Sequence, residues 1–212
     1  MRPSSFVFNG GTVSNPRRNT IATPPGICRF LHGLISPHYK VTIILDPCAG
    51  AGALTKPWKG TKVVAYEILR GRDFRGCPRR IACDLVLCNP PFNNDAGERQ
   101  FLPEVFLRRI FEVVPPGTPI VLFAPMTLRL DQASGSSRWR WLRDRCPPIT
   151  SIVTLPHDAF ISVKVHSEIL LFGMPKLLPH YFLPDSALAC TSPKATAKAK
   201  PQPKFGKLGV SA

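Results

Sequence analysis

Asp84-Leu-Val-Leu-Cys-Asn-Pro-Pro-Phe92 is the stretch on which the reading of this chain turns. Its first five residues, 84–88, have the length and apolar character of a buried strand. Asn89-Pro90-Pro91 ends that strand abruptly, because two prolines fix φ and give a stiff, preset bend. A stiff bend suits a place where one side chain and one carbonyl must be aimed at a ligand. Asn89 offers an amide oxygen and Pro90 a backbone carbonyl, and together they can accept both hydrogens of an –NH2 group. An arylamine nitrogen is a poor nucleophile because its lone pair is delocalised into the ring. Accepting its hydrogens draws it toward tetrahedral geometry and frees the lone pair. Phe92 offers a flat face on which a base can stack. The same residues also make an ordinary proline-rich turn with Asn89 as a turn residue, so the segment needs support from the rest of the chain.

Moving upstream, 41–46 reads as a strand, and Pro47-Cys-Ala-Gly-Ala-Gly52 as the tight turn that follows it. Ala53-Leu54 is expected to open a short helix limited by Pro57. Gly50 and Gly52 allow a sharp bend and close approach of a ligand. Amides exposed there would bind a carboxylate and Asp46 would meet an ammonium group, and an amino-acid moiety presents both. The next strand, 62–67, ends in Glu67, an acid well placed to accept from ribose hydroxyls. A basic, glycine-containing loop runs from Arg70 to Arg80. Further upstream, Ile27, Phe30, Leu31, Leu34 and Ile35 have helical offsets. Thr23 is the expected N-cap, Pro24 the first helical residue, and Ser36-Pro37 the stop.

Downstream, the spacing predicts a helix over 98–114, a strand over 119–124, and a helix over 136–145 that sets Trp139, Trp141 and Leu142 among four arginines. Strands follow at 150–155 and 167–172. The eleven residues between them lack a helical period, so a hairpin is expected. Alternating strands and helices define an α/β chain with a Rossmann-like, doubly wound, mostly parallel sheet and a C-terminal antiparallel hairpin strand at its edge. Ligands in such sheets bind beyond the carboxyl ends of the strands, where both 47–52 and 89–93 fall.

The chain has 212 residues, 44% of them hydrophobic, which suits one domain. Residues 1–20 read as a loose basic arm, 21–184 as the folded domain, and 185–212 as a basic disordered tail. The net charge is +15, with no acidic residue before Asp46 or after Asp185. Purely basic ends point to a polyanion partner, or to a solvated, solubilising charge. The Arg/Trp stretch 138–145 reads equally as a phosphate and base contact and as an amphipathic helix with a basic face. Seven scattered cysteines without CxxC spacing argue against a zinc site and a disulfide framework. His157 and His166 fit no ligand spacing, and no metal is expected. Without an apolar run of membrane or signal-peptide length, a soluble, cytoplasmic protein is expected.

The glycine turn, Glu67 and Asn89-Pro-Pro-Phe92, in this order and spacing, resemble the amino-group methyltransferases, and in particular the N6-adenine DNA methyltransferases of restriction–modification systems and phages. The resemblance covers roughly residues 20–175. It implies an S-adenosyl-L-methionine-dependent enzyme that methylates adenine N6 in DNA, with Asn89, Pro90, Pro91 and Phe92 catalytic. Thr23-Pro24 looks like the start of the family's N-terminal helix. Asp46-Pro-Cys-Ala-Gly-Ala-Gly52 resembles its cofactor loop, and Val165-His-Ser-Glu-Ile-Leu-Leu-Phe172 its last hairpin strand. Thr23, Asp46, Pro47, Ala49, Gly50, Gly52, Glu67, Asp73 and Phe74 are then the expected cofactor contacts, Glu67 for the ribose and Asp73 for the adenine amino group. Cys48 departs from the family, which often has an aromatic residue there. The family's recognition region after the final strands is not evident, which leaves room for a separate specificity subunit. Adenine N6 in RNA, glutamine N5 in a protein, and a non-catalytic binding subunit are alternatives.

Overall fold

Along each central strand, successive side chains leave on opposite faces of the sheet, and in this chain both faces are apolar. A computed structural model describes residues 22–77, 80–92, 101–130, 132–160 and 165–188. Its strands are β1 (Ile43–Asp46), β2 (Lys62–Ala65), β3 (Leu85–Cys88), β4 (Ile120–Pro125), β5 (Ile149–Thr154), β6 (Ser167–Phe172) and β7 (His180–Phe182). They form one sheet in the order β2-β1-β3-β4-β6-β5-β7. Leu85 and Leu87 of β3, Val121 and Phe123 of β4, and Ile169 and Leu171 of β6 face one core. It is covered by α1 (Pro25–Ile35) and by α4 (Asp185–Leu188). Val86, Leu122, Leu170 and Phe172 face the other, which packs on α2 (Leu102–Val113) and on Trp141 of α3 (Ser137–Asp144). The Rossmann-like α/β architecture expected from the sequence is the one observed.

β1, β2, β3 and β4 run parallel, and β6 is antiparallel to both β4 and β5. The predicted hairpin is present, but it is not the sheet's edge. β6 inserts between β4 and β5, and the short β7, parallel to β5, forms the border. The sequence gives no sign of β7, because three residues are too few for a periodic signal. The ends of β1 and β3 are stapled by Asp84, whose Oδ2 accepts from the Thr42 and Ile43 amides at 2.8 and 2.9 Å. These bonds, with the Thr42 hydroxyl first among them, hold the Asp84 carboxyl below its usual range.

Two expectations about the helices are corrected. No helix follows the glycine loop: residues 51–57 are consecutive turns. The left-handed Gly50 and Gly52 (φ 51° and 76°) bend the chain back on itself, and Pro57 is too close behind for a helix to propagate. At the other end, the expected tail does not begin at 185. Asp185–Leu188 is a turn of helix seated on α1, so the described fold reaches Leu188. The predicted arm 1–20, residues 93–100, which include the predicted helix start at Glu98, and the tail beyond Leu188 lie outside the described residues. No helix among the described residues is long and apolar enough to cross a membrane.

The α1–α4 contact is close at Gly26, where an added Cβ would lie 1.9 Å from the Ala187 carbonyl oxygen. Gly33, in the same helix, has nothing within 4 Å of the corresponding position. The same substitution should therefore act with opposite signs at the two sites. Gly33→Ala stabilises by about 0.5–1 kcal/mol through helix propensity. Gly26→Ala pushes α4 off α1 and costs about 1–3 kcal/mol. Urea denaturation of the two variants reads both effects, and equal shifts would refute the docking of α4.

Candidate active site

A cleft of about 220 Å³ opens at the carboxyl ends of β1, β2 and β3. The glycine loop, Glu67, Asp73 and Phe74 line one side of it, and Thr23 and Asn89 to Phe92 line the other. The sheet accounts for this meeting. β1 lies between β2 and β3, so the loops leaving all three strands crowd together at one end.

The loop is folded onto itself more tightly than the sequence suggests. The Cys48 amide donates to Asp46 Oδ1 at 3.2 Å and the Ala49 amide to the Tyr66 carbonyl at 2.9 Å. The Gly50 amide donates to Glu67 Oε2 at 2.7 Å, and the Gly52 amide to the Ala49 carbonyl at 2.6 Å. The expectation that this loop offers a set of free amides to a carboxylate is therefore corrected: four are consumed internally. Glu67 braces the loop through Oε2 and caps the next turn through Oε1, which accepts from the Leu69 amide at 3.1 Å. A carboxylate oxygen has two lone pairs, so both oxygens keep capacity to accept from hydroxyls.

Asp46 is buried beneath the loop. Burial pushes its carboxyl up to about 7, against the Cys48 amide that stabilises the anion and with Glu67 adding repulsion. The folded protein thus holds this proton more tightly than the unfolded chain. Its contribution to stability is greatest below about pH 4 and is lost as pH rises to about 7. Cys48 packs against the core that contains Cys88. Burial, then the neighbouring Cys88 thiol, push the Cys48 thiol well up.

Thr23 is not a helix cap. Pro24 occupies the N-cap position and no side chain caps α1. Thr23 is instead only 5% exposed, and its Oγ1 accepts from Asn89 Nδ2 at 3.0 Å. That bond joins residues 66 apart in sequence, so no local pattern could reveal it. With its nitrogen turned to Thr23, Asn89 keeps Oδ1 as an acceptor.

Asp73 stands at the cleft, but its two oxygens already accept from the Arg75 backbone amide and guanidinium at 2.9–3.1 Å. Phe74 is buried between Tyr66 and Phe106, with centroids 5.4 and 5.8 Å away, and forms part of the cleft floor. Phe92 is half-buried against the α1-side core. Sequence reasoning missed Phe160, which closes the Asn89 side, and Ile68 and Leu69, two exposed apolar residues on the rim beside Glu67. The signal for the last two was available: an apolar pair directly after an acid at a strand tip.

The 138–145 stretch is partly structural. Arg138 donates to Glu104 Oε2 at 2.7 Å and lies over Phe101, and Arg108 of α2 covers Trp141 at 4.1 Å. His157 and His166 are exposed neighbours with ring centroids 4.9 Å apart. Among the described residues no three His, Cys, Asp or Glu are grouped to hold a metal ion.

This sheet, with its antiparallel β6 and its cleft at the β1–β3 ends, is a Rossmann-like α/β fold. No protein-family model matches the sequence, and no curated protein matches it. Solved structures do. One is a modification subunit assigned to a type I restriction enzyme of Vibrio vulnificus YJ016, with a TM-score of 0.54 and 18% identity over 77% of this chain and 46% of that one. Another is a Listeria monocytogenes protein assigned to the class I S-adenosylmethionine-dependent methyltransferases, with a TM-score of 0.54 and 18% identity over 80% and 68%. A third is the type I restriction enzyme EcoKI M protein, with a TM-score of 0.52 and 18% identity over 71% and 43%. The chain spans less than half the length of the two restriction-enzyme proteins, and at this identity the likeness is one of fold.

Proposed function

We propose that this chain is an S-adenosylmethionine-dependent methyltransferase acting on adenine N6 in DNA. One observation carries the proposal: a single cleft is lined both by residues 47–51 of the glycine loop with Glu67 and Asp73, over the buried Asp46, and by Asn89-Pro90-Pro91-Phe92. The residues present suit an amino-acid nucleoside. Asp46 is a buried acid for the ammonium group, Glu67 retains acceptor capacity for ribose hydroxyls, and Ile68 and Leu69 give an apolar rim for a flat ring. The cofactor supplies an electrophilic methyl group. Asn89 Oδ1 and the Pro90 carbonyl accept the two hydrogens of the target amine, hold its lone pair toward the methyl position and make the nitrogen tetrahedral. Phe92 and Phe160 provide apolar surface for a base taken out of the stack. The net charge of +15 favours a nucleic acid over a protein target.

The test uses methyl-labelled S-adenosylmethionine with unmethylated DNA, total RNA and protein extract in separate reactions, followed by digestion to identify the labelled unit. N6-methyladenine from DNA is the expected product. Label in glutamine, or in RNA alone, would overturn the substrate assignment.

Cofactor affinity should depend on pH through Asp46. Since its carboxyl titrates at about 7, the anion that pairs with the ammonium group forms between pH 6 and 8. Calorimetry should show S-adenosylmethionine affinity rising about tenfold from pH 6 to 7.5, one pH unit of ionisation being a factor of ten. Asp46→Asn should bind weakly and remove the rising limb.

A further inference from the structure

The Asn89 amide has two orientations, and only one presents an acceptor to an amine. Its geometry is governed by a single neighbour, since Nδ2 donates to Thr23 Oγ1 at 3.0 Å. A hydroxyl can both accept and donate. If the Thr23 hydroxyl donates its hydrogen to Asn89, the amide must turn its oxygen inward and its nitrogen outward, toward the hydrogens of the target amine. If that hydrogen is taken by another acceptor, Thr23 can only accept from Asn89, and the amide is fixed with Oδ1 outward. Among the described residues no protein acceptor takes the Thr23 hydroxyl hydrogen, and Thr23 lines the cleft. Four amides of the facing glycine loop are spent within the loop and its braces. A carboxylate entering this cleft therefore meets a depleted set of backbone donors, and the Thr23 hydroxyl is a donor still in reach.

We infer that Thr23 is a positioning residue that couples cofactor binding to the orientation of Asn89: the cofactor's carboxylate accepts from the Thr23 hydroxyl, and this holds Asn89 Oδ1 toward the target amine. The inference rests on the methyltransferase reading and deepens it. It makes cofactor occupancy the condition for a competent amine site, and by linkage a bound target amine tightens cofactor binding by the same factor. A coupling carried by one hydrogen bond is about tenfold.

The experiment follows the Asn89 side-chain amide in the full chain labelled with 15N-asparagine, the signal being assigned by its loss in Asn89→Ser. On adding S-adenosylmethionine, the Asn89 Nδ2 pair should shift, and its exchange with water should slow about tenfold. Thr23→Val should still bind the cofactor, with affinity reduced no more than about tenfold, and leave the Asn89 pair unresponsive. Thr23→Ser should restore the response and, in turnover, recover kcat rather than KM. A pair that responds equally in Thr23→Val overturns the relay alone. Wild-type protein that binds no S-adenosylmethionine by calorimetry overturns the methyltransferase reading and the relay together. If Thr23→Val loses its fold, Thr23→Ser against Thr23→Ala gives the same comparison. Equal responses in those two also overturn the relay.

Discussion

Replacing Asn89 with alanine should lower methyl transfer by about 10²–10³-fold while S-adenosylmethionine affinity stays within about threefold of wild type. The magnitude is that of removing one preorganised partner of a reacting group from a partly enclosed site. Among the described residues the Asn89 side chain hydrogen-bonds only Thr23 and no residue of the glycine loop, so the loss belongs in kcat and kcat/KM together. Asn89→Asp separates the amide's two roles. It keeps an acceptor for the amine but loses the donor to Thr23, and should retain more activity than the alanine variant. Single-turnover transfer from labelled cofactor, beside calorimetry on the same preparations, reads both quantities. Full activity in Asn89→Ala would end the amine-polarising mechanism, and loss of cofactor binding would show that the residue supports the pocket instead.

The second large effect is on stability. Glu168 of β6 is completely buried, and both of its oxygens accept from Arg129, Oε1 from Nε at 2.7 Å and Oε2 from Nη2 at 2.8 Å. The bidentate geometry is the strong form of this pair. Glu168 lies opposite Ala124 of β4 and Thr154 of β5, in the middle of the sheet, and cannot turn to solvent. Arg129→Ala strands that carboxylate and should cost about 3–5 kcal/mol, a large share of the stability of a domain this size. Arg129→Met with Glu168→Leu removes both charges and should recover most of the loss, because the pair must overcome its own desolvation. Urea unfolding of the single and double variants measures the difference. Additive losses would contradict the coupling.

Local chemistry made much of this legible in the sequence. Asn89-Pro90-Pro91 marks a strand end by fixing φ, Gly50 and Gly52 mark a turn by their freedom at positive φ, and Glu67 sits at a strand tip because the strand's apolar run stops there. What escaped was long-range. Thr23 looks like a cap beside Pro24 until Asn89 is brought to it, and Glu168 looks like a misplaced charge in an apolar strand until Arg129 closes over it. The glycine loop looks like a ring of free donors until Tyr66 and Glu67 fold against it. Each error has one cause: a polar group's partner lies in another element, and sequence spacing carries no record of it.

The place of β6 has a consequence for how the molecule is made. Six residues near the end of the described chain lie between β4 and β5, so the centre of the sheet is completed by its last strand but one. During synthesis, β4 must wait with an apolar, unpaired edge until residues 167–172 emerge. Such non-local pairing is slow and leaves hydrophobic strands exposed in the interval. Biogenesis of this chain therefore hinges on one late strand, and a ribosome that stops short of it releases an incomplete sheet rather than a smaller fold.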